Sequence, residues 1–199
     1  MRSPTNGHRF QRGKVIQEPP NATLARTTTG IALRPILRFA GHGTRMNNAL
    51  DRLAQDLGLA GEANERLRLA FGHACVLRVQ HLLEELEVEQ CLLGLGAYLA
   101  GAASREQLQA IAAKAKILAN HHQGSKSIDG CGHAAVSATY AVAKAIEGNA
   151  LEAASYAAYA VVYAQGGYAA VAERESFEPE FAWQLRALSV LAGEAAPHA

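Results

Sequence analysis

The sequence predicts an all-α protein: a compact bundle of antiparallel helical hairpins, rich in alanine, preceded by a basic irregular N-terminal arm. Three observations carry this expectation. From Met46 onward apolar residues recur at helical spacing, and no stretch after Met46 alternates apolar and polar residues as a half-buried strand does. Alanine is heavily used, while aromatic residues make up only 6% of the chain. Ala loses no side-chain entropy in a helix and projects little from it, so an Ala-rich core implies close helix axes. The 199 residues suit one domain with an extra segment, enough to bury a core without disulfide staples.

Charge divides the chain in two. The formal net charge is +1. Residues 1–45 hold Arg2, Arg9, Arg12, Lys14, Arg26, Arg34, Arg38 and Arg45 against one acid, Glu18, a net of +7 that leaves −6 on residues 46–199. The arm contains four of the six prolines and no sustained periodicity, so it reads as loosely ordered. Its Arg- and Thr-rich, acid-poor composition shares features with transit peptides, and its segment Ile31–Ala40 is apolar enough to dock on a core. The helical domain then spans 46–199, and Met46 is an alternative start.

Within that domain, Met46, Leu50, Leu53 and Leu57 form one stripe ended by Gly58. A long helix is expected over about Glu62 to Glu87, with Cys75, Val79, Leu82 and Leu86 on one line and Leu69, Val76 and Leu83 beside it. A third helix runs from about Glu89 to Ala100. Ser104 and Gln107 have capping-box spacing ahead of a helix to His121. The stretch Gln123 to Gly130 is a polar loop, and Asp129 is placed to cap a helix ending before Gly148. Asn149 and Glu152 suggest a second box. That helix meets Gly166-Gly167, and Pro179 opens the last one, whose inner side would be Phe181, Leu185, Leu188 and Leu191.

Three cysteines, Cys75, Cys91 and Cys131, point to reduced thiols and a cytoplasmic setting. The longest apolar run, Cys91 to Ala103, falls short of the ~20 residues a membrane-spanning helix needs. The sharpest chemical candidate is the group His121, His122, Cys131 and His133, whose imidazole and thiolate donors suit zinc, with His73, Cys75 or Cys91 as further ligands. Its spacing matches no established zinc pattern, so the reading taken is one without a cofactor, with core thiols and hydrogen-bonded histidines. Cys131 beside a helix start and either His133 or His121 also have the makings of a nucleophile–base pair, though no third member is evident.

Tyr156, Tyr159 and Tyr163 fall at i, i+3 and i+7, one helix face, with Tyr140 and Tyr168 near in sequence. Tyrosine joins an apolar ring to a hydroxyl that needs a partner, so this stripe is either core or an interface, including one between copies of the chain. Gly94-x-Gly96 precedes no phosphate-binding motif and reads as close helix packing. The acidic run Glu84, Glu85, Glu87 and Glu89 is a solvated face or a receiver for a basic partner. A body of net negative charge opposes a nucleic-acid footprint.

Several stretches together resemble the bacterial Imm-5-like immunity protein family, over about residues 69–188. They are Ala74-Cys75-Val76-Leu77-Arg78-Val79 running to Leu83-Glu84-Glu85, then Ala97-Tyr98-Leu99-Ala100-Gly101, Gly132-His133-Ala134-Ala135, and Trp183-Gln184-Leu185. The resemblance implies an all-helical cytoplasmic protein that neutralises a toxin by direct binding and carries no catalytic residues to transfer. The expectation is therefore a binding protein whose Tyr156/Tyr159/Tyr163 and Glu84/Glu85 surface occludes a basic protein partner. A metal- or thiol-dependent enzyme built on His121, His122, Cys131 and His133 and a self-associating helical adaptor are the alternatives.

Overall fold

Local capping decides where each helix begins. In the computed structural model, which describes residues 47–122, 130 and 132–195, Asn47 Oδ1 accepts from the Leu50 N–H at 3.1 Å and opens α1 (Asn48–Asp56). The Asn47 Nδ2 donates to the Phe181 carbonyl, which ties α1 to the C-terminal helix. Gly58, at φ +58°, turns the chain, and a 3-10 turn at Glu62–Asn64 leads into α2 (Glu65–Val79). After α3 (Leu86–Leu99), the expected box forms: the Gln107 N–H donates to Ser104 Oγ and the Ser104 N–H to Gln107 Oε1, opening α4 (Arg105–His121). Then follow α5 (His133–Ile146), α6 (Ala150–Ala172) and α7 (Glu178–Ala195), with Pro179 in the first turn of α7. No strand occurs among the described residues, and the fold is the all-α bundle that the periodicity implies. The basic arm, residues 1–45, lies outside the described residues.

The bundle is organised around α5. Eleven of its fourteen residues are buried, six of them alanines, and it packs against α2, α3, α4 and α6. Helix axes approach closely because the facing side chains are small. A Cβ placed on Gly72 of α2 would sit 3.1 Å from Cα of Ala145 on α5, so the two backbones nearly touch. Gly94 lies directly under the Ile111 side chain of α4, and Gly96 lies against the His73 ring. The Gly94-x-Gly96 pair is thus a packing device, as its place inside a helix suggested. Ala153, Ala154, Ala157 and Ala160 of α6 are also fully enclosed.

Four expectations need correction. The helix expected over 62–87 ends as an α-helix at Val79. A 3-10 turn, Gln80–Leu82, follows, and Leu83 is extended (φ −72°, ψ 132°). That turn buries Leu83 and takes Leu86 off the Cys75–Val79 stripe, leaving it 67% exposed at the start of α3. The Asn149/Glu152 box does not form: Asn149 Nδ2 donates to Glu147 Oε2, while Glu152 pairs with Lys144 at 2.8 Å. Gly132 occupies the N-cap position of α5 without a side-chain bond, and Asp129 lies outside the described residues. On α7, Leu185 and Leu191 are only half-buried, whereas Glu180 and Gln184 hold fully buried positions.

α6 bends at Gly166-Gly167, where Gly167 has φ +58° and ψ −143°, a conformation open essentially to glycine alone. No helix among the described residues is long and apolar enough to cross a membrane.

Because Gly72 and Ala145 leave no space between α2 and α5, Ala145→Leu should destabilise the fold by about 1–3 kcal/mol, or more if the helices cannot separate. Equilibrium urea unfolding measures this, and an unchanged midpoint would contradict the close-packed account of α5.

Candidate functional site

The three described histidines of the candidate metal group, His121, His122 and His133, each have different neighbours. His121, in the last turn of α4, places Nδ1 2.8 Å from the Ile117 carbonyl, one turn back along its own helix. His122 follows it with a side chain only 7% exposed, its Nε2 4.0 Å from Glu85 Oε1. His133 opens α5 between two phenol rings: Tyr163 at 5.4 Å and Tyr168 at 5.3 Å between centroids, with the Tyr168 hydroxyl 3.2 Å from Nε2. Cys131 lies outside the described residues. Among the described residues, no three His, Cys, Asp or Glu side chains converge to hold a metal ion. Cys75 and Cys91 are buried free thiols, and burial pushes both thiols up from the ordinary range, Cys75 far up. Burial also favours the neutral ring of His73, which packs beneath Gly96.

The tyrosine stripe is divided by the fold. Tyr156 stacks on Tyr140 of α5 at 5.2 Å, beside the Lys144–Glu152 pair. Tyr159 meets Phe177 edge-on at 5.2 Å, and Tyr163 is buried against His133. Burial raises all three phenols, which stay protonated. Of this group, Tyr168 is the exposed member, at 43%. The bend at Gly166-Gly167 swings it back so that its ring covers Gly130, where a Cβ would lie 2.8 Å from the ring. Gly130 has φ +88°, so conformation and space both demand glycine there.

Glu84 and Glu85 lie in the extended link before α3, and Glu87 and Glu89 in its first turn, where the helix dipole favours carboxylates. Glu87 pairs with Lys114 of α4 at 2.9 Å. Leu86 and Leu93, seven residues apart on α3, are 67% and 69% exposed, and Ile117 of α4 is 58% exposed.

A further cluster has no signature in residue spacing. The Glu180 side chain is 1% exposed on α7, yet it carries an ionisable carboxyl. Arg78 Nε, from α2, donates to Glu180 Oε2 at 2.8 Å, and Arg78 Cζ lies 4.3 Å from the centre of the Trp183 ring. Oε1 of the same carboxyl is buried without a hydrogen-bond partner among the described residues. Gln184, one turn on, donates its Nε2 to the Ala154 carbonyl of α6 at 2.8 Å. Burial pushes the Glu180 carboxyl up, and Arg78 pulls it partly back. Arg78 also lines a cavity of about 410 Å³ with His81 and Leu82, and with Val161, Ala164 and Gln165 of α6. Trp183 enters the sequence reading only within the stretch Trp183-Gln184-Leu185. Its meeting with Arg78, more than 100 residues away, is a product of the fold.

No family model matches the chain, nor does any curated protein or solved structure.

Two measurements follow from these environments. Glu180 has a folded-state pKa above its unfolded value, so its contribution to stability is fully present at low pH and declines as pH rises through the folded value. Relative to Glu180→Gln, the wild type should therefore lose thermal stability as pH rises above about 4, the ordinary carboxyl range. A pH-independent difference in Tm would refute the buried-carboxyl account. In a Cys131→Ser background, Cys75 and Cys91 should resist a thiol reagent in the native state and react only on unfolding. Fast labelling of either in native protein would contradict their placement.

Proposed function

We propose that this chain is an immunity-type binding protein that neutralises a protein toxin by direct occlusion, using the outer face of α3. One observation carries the reading. Leu86 and Leu93 are about two-thirds exposed on α3, one heptad apart and therefore on one side of it. Around them lie Glu84, Glu85, Glu87 and Glu89. Exposed aliphatic anchors within a charged border have the composition of a protein interface: apolar contacts at the centre, polar groups at the rim. Glu87 is balanced by Lys114, so Glu84, Glu85 and Glu89 supply most of the border charge. The fitting partner is a protein with an apolar spot set in a basic surface, and acids opposite it would raise the association rate. The resemblance of residues 69–188 to Imm-5-like immunity proteins adds the finer part: a toxin as partner and a bacterial cytoplasm as setting. Of the tyrosine stripe, Tyr163 is buried and Tyr156 and Tyr159 are part-buried against neighbouring rings, so the proposed surface is drawn from α3. Glu84 and Glu85 remain in the proposed surface.

The test is co-expression with each product of the adjacent genes, read as growth rescue and as binding of the purified pair. One product should be toxic alone and harmless with this chain. Leu93→Asp should abolish rescue, and Glu84→Lys with Glu85→Lys should weaken binding about tenfold or more, chiefly through the association rate. Failure of every adjacent product to bind, or full rescue by both variants, would overturn the reading. So would a mass measurement showing that α3 joins two copies of this chain.

A further inference from the structure

The cavity beside Arg78 is built differently from a packing defect. Its lining combines apolar side chains, Leu82, Val161 and Ala164, with the polar Arg78, His81 and Gln165. Its 410 Å³ lies near the lower end of the ~300–1,000 Å³ typical of small-molecule sites. Arg78 is held on two sides before any ligand arrives. Its Nε is bonded to a carboxylate buried to 1% exposure, and its planar group rests on Trp183. Among the described residues that Nε bond is its one hydrogen bond, so both terminal Nη groups remain as donors, and the side chain is 38% exposed where it borders the cavity. A guanidinium fixed in this way loses little conformational freedom on binding.

We propose that this cavity binds a small organic carboxylate with a short aliphatic chain. The planar pair of carboxylate oxygens matches the fork of Nη1 and Nη2, which the bond from Nε to Glu180 leaves open. His81 and Gln165 add polar groups to the lining, and Leu82, Val161 and Ala164 supply the apolar surface for the hydrocarbon. Glu180 offsets the formal charge of Arg78, so recognition comes from directional hydrogen bonds and the apolar walls, not from net positive potential. That favours a monoanion with a tail over a compact polyanion. The site is separate from the proposed α3 surface, so failure of either leaves the other standing.

Trp183 is the single tryptophan of the chain and lies against the guanidinium, so its emission reports on this site alone. The experiment titrates full-length protein with hexanoate and compares 1-hexanol, which lacks the carboxylate, and inorganic phosphate, which lacks the chain. Hexanoate should give a saturable change in emission, with both comparison compounds at least about tenfold weaker. Arg78→Lys, which keeps the charge but not the fork, should weaken hexanoate about tenfold or more. Because Arg78 also supports the fold, a second variant is needed. Ala164→Phe occupies the cavity from an exposed position on α6 and leaves the Arg78–Glu180 pair intact. It should abolish the response with no change in melting temperature. The proposal fails if hexanoate produces no saturable change, if 1-hexanol or phosphate binds as well, or if a folded Ala164→Phe protein responds like the wild type.

Discussion

The close approach of α5 to its neighbours is the constraint on which the rest of the structure depends. A helix buried on nearly every side can use only small side chains where backbones meet, and α5 supplies Ala138, Ala141 and Ala145 at such places. Gly72 on α2 completes the contact from the other direction. Each alanine buries little area by itself. Stability then rests on the number of close contacts and on packing density more than on large anchors. Ser137 and Thr139 lie within the same packed helix, fully buried, with hydroxyls that make no hydrogen bond among the described residues. Unpaired hydroxyls cost free energy, and the surrounding packing has to offset it.

Against this apolar interior, α7 presents two polar side chains. Gln184 earns its place by donating to the Ala154 carbonyl of α6, so it links α7 to α6 as well as filling space. Glu180 is the costlier choice, because an ion pair removed from water rarely repays its desolvation in full. Arg78 reduces the cost by remaining part-exposed, with its guanidinium over Trp183 and its outer edge at the cavity. A buried carboxylate that orients a partly exposed arginine serves to position that arginine. The same pair therefore bears on both the stability of α7 and the chemistry of the cavity.

The outer face of α3 stands in contrast. The turn at Gln80–Leu83 buries Leu83 and delivers Leu86 to solvent, and the helix register then carries Leu93 out as well. These exposures lie next to the Glu87–Lys114 pair that links α3 to α4. A rigid helix carrying apolar groups outward loses little order on binding, which suits occlusion of a partner.

The helical class, the capping box at Ser104, the break at Gly58 and the function of Gly94-x-Gly96 were all legible in the sequence. Each rests on local physics: side-chain period, a hydroxyl three residues before an amide, a missing Cβ. The proximity of Arg78 to Glu180 and Trp183, the division of the tyrosine stripe and the exposure of Leu86 were decided by tertiary structure. Helical period says that a residue faces a given side, but not what stands opposite. It placed Phe181, Leu185, Leu188 and Leu191 inward; Phe181 and Leu188 are buried, but Glu180 and Gln184 take the other buried places, and Leu185 and Leu191 are only half-buried. Likewise the period ran unbroken through Leu82 and Leu86, and only the turn that buries Leu83 separates them. Local propensity acts within a few residues, while a buried carboxylate depends on a guanidinium 102 positions away, which only the assembled bundle brings within reach.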